Sequence, residues 1–327
     1  MKLLDSSSCA SRARSGTLVL AVVVALLGAA PASAHPRSPT IALDFRLRLE
    51  SALNGVHVQL PDGGRWIRIA VDRPHVLIVR GSLGEPVLRF ADDGVSVNTA
   101  SPTAAADRIG GGSTGARGWR KLTGGHVYTW HDHRLTPPPV SSPGFAGKFS
   151  LPVVLDGKRT AIVGGFWRAR RPSLALWLGV AAAAALALAL VARALAARTR
   201  LSLAAVLAAT GAVAGLAMET AFAVANPFGS HTRWAEVAAA AVLVAAVVTA
   251  LVLRTTVGRR WVALVVGIYA ALMGLDAATT LWHGAVVSSW PAPAVRAAAV
   301  AAFVCGGIAA TLAFLSDVDE RHAGRSG

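Results

Sequence analysis

Beyond residue 172 the sequence is organised by five apolar runs, at about 173–192, 201–224, 235–253, 261–283 and 294–315. Each comes close to the ~20 residues that a membrane-spanning helix needs. A segment in hydrocarbon has no water to satisfy its peptide groups, so such runs can only be helices. The spacing therefore predicts an α-helical transmembrane region of five helices over 173–316. The composition agrees, with 54% hydrophobic residues and a mean hydropathy of +0.53. Arg193, Arg198 and Arg200 follow the first run, and Arg254, Arg259 and Arg260 follow the third. The positive-inside rule puts both basic loops in the cytoplasm. The loops at 226–233 and 288–293 then face outward, and the tail at 317–327 is cytoplasmic.

Residues 1–34 read as a secretory signal peptide. Lys2, Arg12 and Arg14 precede an apolar stretch from Thr17 to Ala30, and Ala32-Ser33-Ala34 supplies small residues for cleavage. Export of the region after Ala34 agrees with the arginine pattern. Cleavage after Ala34 would leave His35 at the N-terminus, where the α-amine and the imidazole of one residue can chelate Cu(II).

Between the leader and the first span lies a stretch of different character. Ala42–Leu49 and Arg65–Val71 alternate with period two. Val76–Val79, Val87–Phe90, Val95–Val97, Val127–Trp130, Phe149–Leu155 and Thr160–Trp167 are short β-branched or apolar runs. Turn signals at Pro61–Gly64, Asp92–Gly94 and Asp156-Gly157 separate them. This pattern predicts an extracytoplasmic all-β domain over 35–172, an immunoglobulin-like antiparallel sandwich. Of two cysteines, Cys9 lies in the leader and Cys305 in an apolar run, so no disulfide staples that domain. At about 138 residues it is long enough to depend on its own core.

The net charge of +15 is spread along the chain. Residues 35–172 hold 19 Lys/Arg against 10 Asp/Glu, and most other basic residues flank apolar runs. A basic surface facing an anionic envelope accounts for this better than nucleic-acid binding. The lipid bilayer is the expected partner, with a metal ion or an envelope protein as a further one. No phosphate-binding loop, nucleophile elbow, HExxH or CxxC occurs, and a non-enzyme is expected.

Chemistry concentrates in His126–Pro139, HVYTWHDHRLTPPP. If the strand continues to His133, His131 and His133 share one face and form an H-x-H chelate, with Asp132 reaching them only through a turn. The competing reading is structural: Tyr128 and Trp130 anchor a core, and Asp132 pairs with Arg134 to close a corner. A second candidate lies in the spans, where ionisable groups usually mark function. Met273, Asp276, Thr280 and His283 follow one helical face, and Met218 and Glu219 lie at similar depth on another helix. They form either a metal or proton path or a polar seam between helices.

Gly84-Glu-Pro-Val-Leu-Arg-Phe90, Asp93-Gly-Val95, Asn98, Ser101-Pro-Thr103, Trp119 and Trp130-His-Asp-His-Arg134 resemble a family of uncharacterised actinobacterial membrane proteins. The resemblance covers roughly 75–170 and implies a signal peptide, an outer β domain and C-terminal helices, with no established function. Thr136-Pro-Pro stands where that family carries an aromatic-rich sequel. A more general likeness is to copper-resistance domains of the CopC type, exported sandwiches that begin with a histidine. His35 and Asp132-His133 match those in kind, though without their D-x-H spacing. The likeness implies copper as the metal; with the H-x-H pair, it makes His35, His131, Asp132 and His133 the candidate ligands. Two functions are thus expected: an envelope protein that handles copper, or a non-catalytic surface module without metal.

Overall fold

The computed structural model describes residues 41–60, 66–111, 118–225, 234–235, 237–242, 244–245 and 256–323. The expected leader, Cys9, His35 and most of the third apolar run lie outside them. The chain divides into two compact units. One comprises Thr40–Pro172 together with Trp282–Val287, and the other includes Ser173–Leu281 and Ser288–Gly327.

The first unit is antiparallel β throughout. Its strands are β1 (Ala42–Leu43), β2 (Phe45–Leu49), β3 (Val56–Gln59), β4 (Trp66–Val71), β5 (Leu77–Arg80), β6 (Pro86–Ala91) and β7 (Gly94–Asn98). A one-turn helix, α1 (Pro102–Ala106), precedes β8 (Trp119–Thr123), β9 (Val127–His131), β10 (Gly144–Leu155) and β11 (Lys158–Arg168). Seven strands form one sheet in the order β2-β11-β10-β5-β6-β7-β8, and β3-β4-β9 form a second. Strand β12 (Ala285–Val286), from the far end of the sequence, pairs with β1.

Alternation explains which face each strand buries. In β4, Ile67, Ile69 and Val71 are buried while Trp66, Arg68 and Ala70 are less so. The same period runs through β10, where Phe149, Leu151 and Val153 point inward. Ile67, Ile69 and Trp130 from the three-stranded sheet join Leu77, Leu88, Phe90, Leu151, Ile162 and Phe166 in one apolar core. Burying a Leu, Ile or Phe side chain stabilises by roughly 1.5–3 kcal/mol each, so this core holds the unit without a disulfide. The long hairpin β10–β11 closes over Asp156-Gly157, both at positive φ (49° and 81°). That is the type I′ geometry, which suits the strand twist and favours Asp-Gly. Strands β3, β8 and β12, the pairing of β12 with β1, and helix α1 lie outside the runs that periodicity predicts.

The second unit is helical: α2 (Leu174–Ala194), α3 (Ala197–Ala225), α4 (Thr256–Asp276) and α5 (Ala292–Ala323). Four stretches are long and apolar enough to cross a membrane: Leu174–Ala194, Thr199–Ala225, Gly258–Leu281 and Ala292–Ser316. This marks the chain as a membrane protein. The Ser173 hydroxyl accepts from the Leu176 amide at 3.2 Å and starts α2. Helices α4 and α5 cross backbone to backbone at Gly267 and Gly306. A Cβ added to Gly306 would stand 2.5 Å from the Gly267 carbonyl oxygen, so only glycine permits the approach.

Candidate functional site

The polar residues of the β unit gather where the β5–β6 turn, α1 and the segment after β9 meet. The turn is held by its own backbone, with Gly81 N–H donating to Glu85 O at 2.7 Å. The Glu85 carboxylate then ties it to α1. Its Oε1 accepts from the Ser101 hydroxyl (2.9 Å) and the Thr103 amide (3.2 Å), and its Oε2 accepts from the Leu83 amide (3.1 Å). Burial would raise the Glu85 pKa, but the hydrogen bonds from Thr103 and Ser101 outweigh it and bring the group down to about 2. The Ser101 hydroxyl also accepts from the Ala104 amide, so it caps α1 while donating to Glu85. Thr103 Oγ1 accepts from the Ser82 amide at 3.0 Å. Asn98 Nδ2 donates to Pro86 O at 2.9 Å.

The third segment is the corner at Trp130–Arg134. Strand β9 ends at His131, and Asp132 caps a single 3-10 turn, His133–Leu135. Asp132 is fully enclosed (0% exposed). Its Oδ1 accepts from the Arg134 amide (3.1 Å) and Nε (2.8 Å); its Oδ2 accepts from Arg134 Nη2 (2.7 Å) and Trp130 Nε1 (3.2 Å). Arg134 Nη1 continues to Arg80 O at 2.7 Å. Burial would raise the Asp132 pKa, but Arg134 overcomes it and holds the carboxyl below the usual range. Four donors fill this carboxylate, so an ion there would have to displace a guanidinium.

The expected H-x-H strand face does not form, because Asp132 leaves the strand before His133. His131 stays in β9, its ring edge-on to Trp66 at 6.0 Å. His133 turns to a different set of partners. Its amide donates to Asp107 Oδ1 (3.2 Å), its Nδ1 lies 2.9 Å from the same oxygen, and its Nε2 lies 3.2 Å from Ser82 Oγ. Asp107 follows α1 as its C-cap, with its side chain only 2% exposed. One ligand atom from each of Asp107, Asp132 and His133 lies within 4.8 Å of the others. Of the expected metal set, Asp132 and His133 thus come together, while His131 faces Trp66. Asp107 and Ser82 were not singled out from the sequence.

The expected intramembrane cluster also divides. Met218, Glu219 and Met273 are buried, and Met273 packs against Gly215, one turn before Glu219. Asp276 ends α4 and is exposed. The helical face drawn through Thr280 and His283 breaks because the chain continues as a 3-10 turn, Ala277–Leu281. His283 is a residue of the β unit, its Nδ1 3.2 Å from Asp44 Oδ1. Asp44 also pairs with Arg171, whose hydrogen bond leads in lowering the Asp44 pKa to about 2. The helical unit further buries Arg296, which donates from Nε to Thr280 O at 2.8 Å. The signal for it was a lone arginine within the fifth apolar run.

A further group lies on the outer face of β2, β11 and β10. Arg46 stands opposite Trp167, and Trp167 opposite Phe145; one row on, Arg48 stands opposite Gly165, and Gly165 opposite Lys148. Phe145 and Trp167 meet at 5.5 Å, and the Arg48 guanidinium lies 5.2 Å from the Trp167 ring centre. Phe145 is 56% exposed.

Comparison with protein-family models, with curated proteins and with solved structures finds no match to this chain.

Proposed function

We propose that this is a multi-pass envelope protein whose β domain, of immunoglobulin-like sandwich type, lies outside the membrane and recognises an anionic envelope component. In this reading the leader is removed, the N-terminal domain is outside and the C-terminus is cytoplasmic; the arginine-rich loops support that orientation. The observation that carries the reading is the face bearing Arg46, Arg48, Lys148, Trp167 and Phe145. An exposed phenylalanine and a half-buried tryptophan beside guanidinium groups suit a polymer that offers both charge and ring faces. Glu50 lies 3.4 Å from Lys148 and offsets one of these charges. Full-length protein in detergent should bind dextran sulfate but not neutral dextran, and Arg46→Glu with Arg48→Glu should abolish the difference. Binding that survives this double substitution would reject the assignment.

A second reading, copper held by the outer domain, is favoured by the approach of Asp107, Asp132 and His133. Because Asp132 is filled by Arg134 and Trp130, the ligands in this reading are Asp107 and His133, with His35 adding its ring and amine. Copper titration of the full chain should then lose its tight phase in His133→Gln. An unchanged titration would discard the copper reading.

A further inference from the structure

Ser82, His133 and Asp107 stand in a connected line. Asp107 Oδ1 and Oδ2 lie 2.9 and 3.1 Å from His133 Nδ1, and His133 Nε2 lies 3.2 Å from Ser82 Oγ. An ionised carboxylate can only accept, so Nδ1 carries the ring proton and Nε2 is left as the acceptor for the Ser82 hydroxyl. That is the arrangement in which a serine oxygen becomes a nucleophile: a base beside it, and a carboxylate fixing the base's tautomer and orientation. We propose that Ser82 is a nucleophile activated by His133 and oriented through Asp107, acting on carboxylic esters.

The surroundings hold the three groups in place. Asp107 caps α1 and is enclosed, and two hydrogen bonds from His133, ring and amide, fix it against the corner. Ser82 sits at the exposed tip of the β5–β6 turn, its amide held by Thr103 and the following amide by Glu85. The backbone that carries its hydroxyl is therefore held in place, beside Leu83, which is 80% exposed. An apolar residue next to the nucleophile suits an acyl chain.

The step balances without a cofactor. Ser82 Oγ bonds to the carbonyl carbon as its proton passes to His133 Nε2. The carbon–oxygen bond to the leaving alcohol breaks, and the alcohol takes that proton. Water then attacks the acyl carbon, its proton passes through His133 Nε2 to Ser82 Oγ, and the acyl carbon–Oγ bond breaks, releasing the acid and restoring the free serine. The amides of Ser82 and Leu83 already donate to Thr103 and Glu85, so this turn supplies no oxyanion hole from its own N–H groups. Activated esters are accordingly the substrates, and amides are not.

The activity is independent of the recognition face, which Ser82→Ala leaves intact. Full-length protein in detergent, with a chelator present, is treated with a fluorophosphonate probe and with p-nitrophenyl acetate. Covalent labelling of Ser82 is expected, located by peptide mass. Ser82→Ala should remove it, Ser141→Ala, at an exposed serine in the segment between the corner and β10, should not, and His133→Gln should slow ester turnover by about a hundredfold or more, the usual worth of a general base. Labelling equal in wild type and Ser82→Ala would overturn the proposal, whatever the other variants do. So would Ser82 labelling that His133→Gln leaves at full rate in a variant with unchanged near-UV circular dichroism.

Discussion

The corner at Trp130–Arg134 and the crossing of α4 with α5 both bring two pieces of chain close together, by opposite chemistry. At the corner, closeness comes from donors: Asp132 is enclosed and accepts four hydrogen bonds from Trp130 and Arg134. At the crossing it comes from the absence of side chains, with Gly267 and Gly306 letting two backbones touch. Water around the β unit makes an unfilled carboxylate costly to bury, so a buried one must be filled. In lipid there is little hydrophobic gain between helices, so contact rests on close packing. A substitution should therefore injure one unit through lost hydrogen bonds and the other through added volume.

The largest effect is expected at the corner. Arg134→Met keeps the bulk but leaves Asp132 enclosed and uncompensated, at a cost of about 3–5 kcal/mol. Trp130→Ala opens a cavity of similar cost, about 3–5 kcal/mol. Hydrogen exchange on the full chain should show β4 and β9 losing protection while α4 and α5 keep theirs. Loss in both units together would refute the contrast.

Next in size is the reverse case. Gly306→Leu forces side-chain atoms into the α4 backbone and should cost about 1–3 kcal/mol or more. Protease sensitivity should rise in the helical unit, with the β unit's near-UV circular dichroism unchanged.

A smaller, pH-dependent effect should separate Glu85 from the apolar core. Its pKa is lowered from the ordinary 4.5 to about 2, so its contribution is complete above 4.5 and is lost as pH falls toward about 2. Glu85→Gln should destabilise the β unit by about 1–3 kcal/mol at neutral pH and flatten the acid titration in that window. Asp44, lowered from 3.8 to about 2, titrates in the same range, so the difference between wild type and variant is the quantity to measure. Least of all, Arg46→Ala with Arg48→Ala should change stability by no more than about 0.5 kcal/mol, since both are exposed. A large loss there would show these arginines to be structural.

The locality of each signal decides how much of the molecule was readable in the sequence. Alternation in Phe45–Leu49 and Trp66–Val71 exposed two strands directly, and Asp156-Gly157 marked the hairpin. Trp130 and the Asp132–Arg134 pair were legible as a structural corner because partners two residues apart meet locally. The H-x-H reading erred at one peptide: Asp132 caps a turn, which ends the strand parity that would align His131 with His133. Ser82 and Asp107 carried no local mark, since they reach His133 across 51 and 26 residues. Gly81 and Gly84 flank the turn that displays Ser82, a signal that periodicity does not weigh. Helical periodicity places His283 on the face of the fourth apolar run, because it has no means of foreseeing that the helix tightens at Ala277 and releases the histidine to Asp44.

The pairing of β1 with β12 sets a clock on biogenesis. Ala42 meets Val286 and Leu43 meets Ala285, so the first strand waits for a partner about 240 residues away. At about 5–20 residues per second of synthesis, that is roughly 10–50 s. Over roughly the second half of that interval, once β11 has been made, the β unit has its main core strands but lacks both this pair and the His283 contact to Asp44. A fragment ending at Pro172 would stay in that unfinished state, with Asp44 answered by Arg171 alone. Expressing residues 282–290 as a separate peptide offers a direct handle on the last step of assembly.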